Sequence, residues 1–214
     1  DKTPLREGYA FTGWYGEAEL TTQLNTVRMD KNRTVYAGWS ATPAPAWLNS
    51  DDHFAYVYGY PDGRVGPLNN ITRAEVATIF FRLLTEDSRG HYWSQSNSYG
   101  DVDAGAWYNN AVSTLSNAGI LYGKPGNLFD PDASITRAEF AAIAARFDET
   151  QSGKSATFSD VIGHWAAKEI GIAYANEWIK GYPDGTFKPD QNITRAEAMT
   201  MINRVLERKP ESQV

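Results

Sequence analysis

Val76, Ile79, Phe80, Leu83 and Leu84 fall on one side of a 3.6-residue period. The same stripe recurs at Ala198, Met201, Ile202, Val205 and Leu206. Both stretches predict core-facing helices. The N-terminal segment follows a different rule. Gly8 to Tyr15 and Arg33 to Trp39 alternate in the manner of strands, with Thr, Val and aromatic residues. Residues 1–40 are too few strand residues for an independent fold and read as part of a small β domain. Residues 41–46, with two prolines, read as a linker.

Each helical stripe follows the same word. Ile-Thr-Arg-Ala-Glu occurs at Ile71–Glu75, Ile135–Glu139 and Ile193–Glu197. The match extends upstream to a Gly-turn segment. Gly59-Tyr60-Pro61-Asp62-Gly63 precedes the first copy, Gly123-Lys124-Pro125-Gly126-Asn127 the second and Gly181-Tyr182-Pro183-Asp184-Gly185 the third. The distance from the leading Gly to the Arg is the same in all three. Copies two and three also share Asp101-Val102 with Trp107 and Asp160-Val161 with Trp165. The period is about 60 residues, which marks an internal repeat.

Each repeat predicts helix, turn-rich loop, helix. In the third, Asp160 is expected to cap a first helix carrying Trp165, Ile170 and Ala173 on one side, and Gly181 to end it. Pro183-Asp184-Gly185 supplies a turn, and Pro189 keeps helix out of the loop. The second helix starts at Thr194. The first repeat lacks its first helix, because Asn49 to Tyr58 is too short for one. A segment following Val214 is expected to fill that place.

Within the word, Thr and Glu form a capping box: Thr72 with Glu75, Thr136 with Glu139, Thr194 with Glu197. The preceding Ile sits where it can staple the helix start. Arg73, Arg137 and Arg195 do not fit this reading. Each stands at the positive end of the helix dipole, where a cation costs about 0.3–1 kcal/mol. Two explanations remain open: a guanidinium folded onto carboxylates or carbonyls between repeats, or an anion site at the helix start.

Composition narrows the classes. A net charge of −6 without a basic run argues against nucleic acid. No stretch approaches the roughly 18 apolar residues of a membrane span. The absence of Cys excludes disulfides and thiolate chemistry. Seven Trp and twelve Tyr suit either a packed core or the stacking of sugars.

The Asp-Val…Trp segment, the Gly-Tyr-Pro-Asp-Gly-x-Phe-x-Pro loop and the Ile-Thr-Arg-Ala-Glu helix start together resemble S-layer homology domains. The resemblance places repeats at 47–87 (first helix missing), 98–148 and 156–208. It implies a mainly α fold: a pseudo-threefold helical spindle with a small N-terminal β segment. Residues 5 to 40 resemble, over a shorter span, part of a Listeria–Bacteroides β-repeat, an extracellular spacer. The family implies an exported protein at the bacterial surface. Its expected partner is secondary cell wall polysaccharide of the pyruvylated N-acetylmannosamine type, bound in grooves between repeats. It implies no cofactor, nucleic acid or membrane partner, and a monomeric anchor or an S-layer lattice subunit. Carried onto this sequence, the groove candidates are Arg73, Arg137 and Arg195, with Gly59, Gly123 and Gly181 admitting a ligand to the backbone. Tyr60, Tyr182, Trp107 and Trp165 are candidates for sugar contact. Core packing is the competing reading for the two Trp, and helix termination for the glycines. The Arg would pair with a ketal carboxylate, aided by the helix dipole. Because the copies differ, the grooves are expected to be unequal.

Two other classes compete. For an enzyme, the three His (His53, His91, His164) form no metal-spaced pair, and Asp62 and Asp184 sit in Pro-Asp-Gly turns. A self-assembly module without glycan binding, or the wall-targeting part of a glycan-active enzyme, would carry the same repeats.

Overall fold

The three isoleucines that open the repeated word meet at one point. In the computed structural model, which describes residues 4, 9–24, 34–41, 44–52, 55–149 and 158–208, each is fully buried. The Ile71 N–H donates to the Ile193 carbonyl at 3.1 Å, Ile135 to Ile71 at 3.0 Å and Ile193 to Ile135 at 3.1 Å. The three hydrogen bonds close a ring, which defines a pseudo-threefold axis.

From this hub three helices radiate: α1 (Arg73–Leu83), α4 (Arg137–Ala145) and α6 (Arg195–Val205). All three begin with a capping box. The Thr hydroxyl accepts from the Glu backbone N–H, and one Glu oxygen accepts from the Thr backbone N–H. The two apolar stripes read from sequence are buried throughout. A first helix packs against the preceding repeat's second helix, so α3 (Asn109–Asn117) lies on α1 and α5 (Ala167–Ala175) on α4. Phe80, Phe140 and Phe147 stack and tilt together in the shared core.

The first helices start later than expected. Asp160 does not cap α5, whose N-cap is Ala166 without a side-chain bond. Instead its carboxylate accepts from the N–H groups of Phe187 and Lys188, at 2.9 and 2.7 Å. Asp101 does the same for Phe129 and Asp130. These aspartates fasten the start of the second and third repeats to their own loops, partners 27 to 29 residues away that no capping rule reveals. Trp165 precedes α5 and lies off its buried face. Nor does Gly181 end a helix, since α5 stops at Ala175.

An additional helix, α2 (Glu86–Tyr92), capped by Thr85, lies between the first and second repeats. Trp47 stacks on its Tyr92 at 4.9 Å and meets Phe147 edge-on. Before α1, the described residues of 44–72 contain no helix. Leu48 bridges to Leu84, and Tyr56 donates to Asn203 at 2.7 Å, so this stretch runs against the ends of α1 and α6. His53, Phe54 and Val214, with the segment expected to follow it, lie outside the described residues, as do Gly8 and Arg33.

The chain divides into units 1–43 and 44–214. The first holds an antiparallel pair, β1 (Tyr9–Tyr15) and β2 (Tyr36–Ala41), with an irregularity between Phe11 and Gly13. Phe11 meets Trp14 and Trp39 edge-on, which gives this unit a small aromatic face. The architecture is mainly α with a small N-terminal β segment.

Candidate functional site

The arginine of each word reaches into the next repeat. Arg73 donates from Nε to the Phe129 carbonyl, from Nη2 to the Tyr122 carbonyl and from Nη1 to Glu139, at 2.8, 3.1 and 2.8 Å. Arg195 repeats the set on Val65, Tyr58 and Glu75, closing the ring back onto the first repeat. Arg137 bonds the Phe187 and Lys180 carbonyls, but its Nη1 stands 3.9 Å from Glu197. All three are 3–5% exposed. Each motif Glu thus serves two partners, capping its own helix with one oxygen and facing a foreign Arg with the other. The cation tolerated at a helix start is explained by this pairing across repeats.

The helix starts themselves offer no amide to a ligand. At α1 the Thr72 N–H goes to Glu75, the Arg73 N–H to the Ala133 carbonyl and the Ala74 N–H to the Pro131 carbonyl. The Glu75 N–H goes to the Thr72 hydroxyl. Helices α4 and α6 are closed in the same way. The expectation that the helix N-terminus binds an anion is corrected on this ground, because the next repeat's loop already satisfies those donors.

Arg195 nevertheless lines an open groove of about 430 Å³. The loop residues Tyr58, Gly59, Tyr60 and Pro61, then Glu75, Thr78 and Arg82, and Trp107 of the second repeat line it too. Four of the expected ligand residues therefore meet in one place: Arg195, Gly59, Tyr60 and Trp107. Trp107 is 65% exposed and Trp165 60%, so neither packs in the core. Another hollow, of about 540 Å³ between residues 44–52 and Thr85, holds none of the expected residues.

The remaining candidates have internal duties. Tyr60 covers the Arg195 guanidinium at 4.7 Å and Tyr182 that of Arg137 at 4.8 Å. Lys124 replaces this ring in the second repeat and pairs with Asp130 at 2.7 Å. The three leading glycines answer a packing need. A Cβ on Gly181 would strike the Phe158 ring, one on Gly123 the Tyr99 ring, and one on Gly59 would lie 3.0 Å from the Arg64 carbonyl oxygen. Neither ligand access nor helix termination is required to account for them. Left-handed backbone falls later in the turn, at Gly63 and Gly185, where φ is 80° and 82°.

A second arginine escaped the sequence reading. Arg82, Arg146 and Arg204 lie nine residues after Arg73, Arg137 and Arg195. Arg82 stacks on Tyr58 at 4.0 Å, and Arg146 on Tyr122 at 4.2 Å. Both tyrosines are more than half exposed. Burial pushes the pKa of Arg82 and of Arg146 below the ordinary guanidinium value, while the adjacent tyrosine pushes it back. The recurrence at fixed spacing was the available signal. Only the fold shows that the residue faces the groove.

Burial raises the pKa values of Asp101 and Asp160, but the paired backbone N–H groups outweigh it and hold both below the ordinary 3.8. A lowered folded pKa contributes stability that is complete above the unfolded value and lost as pH falls through the folded one. The Asp101→Asn, Asp160→Asn double variant is expected to lose less of its melting temperature than the parent between about pH 6 and about pH 3. Thermal unfolding at both pH values checks this.

The chain belongs to the S-layer homology family, whose model matches residues 55–77, 98–141 and 157–199. Residues 1–38 match the Listeria-Bacteroides repeat domain. Cell surface glycoprotein 1 of Acetivibrio thermocellus is 43% identical over 172 residues, covering 74% of this chain and 7% of that protein. The cellulosome-anchoring protein of the same organism is 41% identical over 166 residues, covering 74% and 37%. An amylopullulanase of Thermoanaerobacterium thermosulfurigenes is 35% identical over 161 residues, covering 71% and 8%. The chain thus spans well under half of each of these relatives, and it matches only a minor part of the enzyme.

Proposed function

We propose that this chain anchors its parent protein to the bacterial cell wall, by binding an anionic secondary cell wall polysaccharide of the pyruvylated N-acetylmannosamine type in the grooves between repeats. The observation that carries this reading is the groove above Arg195. It sets an exposed indole, an exposed tyrosine and two guanidinium groups around one concavity, with contributions from all three repeats. Those are the groups an acidic sugar requires: an aromatic face for the ring and a fork for the carboxylate. Binding here involves no chemistry, and S-layer homology repeats bring no catalysis of their own. A polymer that reaches more than one groove would gain by multivalency. Family membership and the surface proteins among the relatives place the chain outside the cell, at the wall or S-layer. No helix among the described residues is long and apolar enough to cross a membrane. On this reading residues 1–40 act as a spacer, 41–46 as a linker, and 47–87, 98–148 and 156–208 as the three repeats.

The test is co-sedimentation with purified wall sacculi, before and after chemical removal of the polysaccharide, and after removal of its pyruvate ketals alone. The chain is expected to pellet only with the intact polymer. Pelleting that survives polysaccharide removal overturns glycan binding in favour of self-assembly or a protein partner. Pelleting that survives only ketal removal overturns the pyruvate assignment.

A further inference from the structure

Two guanidinium groups line the same groove, and they are not equally free to meet a ligand. Arg195 is 3% exposed. Its Nε, Nη1 and Nη2 donate to the Val65 carbonyl, Glu75 and the Tyr58 carbonyl at 2.9, 2.5 and 2.7 Å. The Tyr60 ring covers its face. Its charge is matched by Glu75, which lines the groove as well. A carboxylate brought to Arg195 would stand beside another carboxylate, and every nitrogen it met would already be bonded.

Arg82 stands two turns further along α1 than Glu75. Its Nη1 donates to the Tyr56 carbonyl at 3.3 Å, and its guanidinium carbon lies 4.0 Å from the Tyr58 ring centre. Among the described residues no carboxylate pairs with it, and its Nε and Nη2 bond none of them. Neither of those nitrogens is sealed from solvent. Together they form one edge of the guanidinium, which can grip a carboxylate with two parallel hydrogen bonds. The side chain is half-buried, and burial disfavours its charge. An anion at the free edge would offset that cost. Arg195 contributes indirectly, because its bond to the Tyr58 carbonyl fixes the residue on which Arg82 stacks.

We propose that Arg82 receives the acidic group of the glycan through its Nε–Nη2 edge, while Arg195 shapes the groove without touching the carboxylate. The proposal rests on the anionic-glycan reading above and names the residue that sets the preference for a charged sugar. The exposed Trp107 indole lines the same groove and remains available to the sugar ring.

The probe is the methyl glycoside of 4,6-pyruvylated N-acetylmannosamine, compared with its methyl ester, which keeps the sugar and removes the charge. In the parent chain the acid is expected to bind at least about tenfold more tightly than the ester, the worth of a hydrogen bond to a charged group. In Arg82→Gln that ratio is expected to fall to about one, because the cation that distinguishes acid from ester is gone. Arg82→Lys, which keeps the charge and loses the fork, is expected to retain part of the preference. A second measurement needs no weakened variant of the groove. In the nitrogen-15-labelled parent chain, the acid is expected to move the Arg82 Nε–H resonance, assigned by its loss in Arg82→Lys. The Arg195 Nε–H, bonded to Val65, is expected to stay. An Arg82→Gln chain that prefers the acid as strongly as the parent does overturns the assignment to Arg82 and leaves glycan binding intact. So does a response at Arg195 with Arg82 silent. A parent chain that binds acid and ester alike, or neither, overturns the anionic-glycan reading, and this inference with it.

Discussion

Arg195→Ala is expected to lower the stability of the helical unit by about 3–5 kcal/mol, the usual cost of removing one member of a buried ion pair. The side chain is 3% exposed, and its loss strands Glu75 together with the carbonyls of Val65 and Tyr58. Glu75 also caps α1, so the two defects share one carboxylate. The contacts broken join the third repeat to the first, 120 to 137 residues apart. Cooperativity should therefore suffer along with the midpoint. Arg64→Ala is the control. Its pair with Asp62 is 81% and 48% exposed and is expected to contribute no more than about 1 kcal/mol. Urea unfolding of the two variants against the parent makes the comparison. An Arg195 variant as stable as the Arg64 variant would mean that the cross-repeat fork is not structural. A fall in wall binding in Arg195→Ala cannot by itself identify a ligand residue, because the fold weakens too.

Trp107→Ala separates the two effects. The indole is 65% exposed and touches Tyr108 edge-on at 5.2 Å, so stability is expected to stay within about 0.5 kcal/mol of the parent. If the groove above Arg195 binds the glycan, truncating the ring that covers it should cost about 2 kcal/mol or more, roughly a thirtyfold loss of affinity. Calorimetric titration with pyruvylated polysaccharide fragments, beside a thermal melt, measures both quantities. Unchanged affinity would remove Trp107 from the site. Trp165→Ala, which removes the other exposed tryptophan and lies outside this groove, provides the comparison, with a small effect expected.

Together these variants divide the repeated word from the groove it builds. Thr and Glu start a helix. Ile supplies one side of the backbone ring, and Arg locks each repeat to the next. The ligand-facing groups stand mostly outside the word: Trp107 before the first helix, Tyr58 just ahead of the leading glycine, Arg82 near the end of α1. Three copies of the word thus define a common frame. The differences between repeats come from positions the word does not contain, such as Tyr60 against Lys124.

The sequence by itself determined the repeat, the helix starts and the buried stripes. A capping box joins residues three apart, and an apolar stripe follows the period of one helix, so both are written within a few consecutive residues. The turns at Gly63 and Gly185 belong to the same short-range class. Only the tertiary structure decided where the arginines point, because their partners lie 43 to 137 residues away and belong to another repeat. It also turned Asp160 from a helix cap into a loop clasp and brought Trp107 and Trp165 out of the core. Each of these depends on segments far apart in sequence meeting, within a repeat or between repeats. That packing is fixed by surfaces assembled from distant segments, and no single window of sequence contains them.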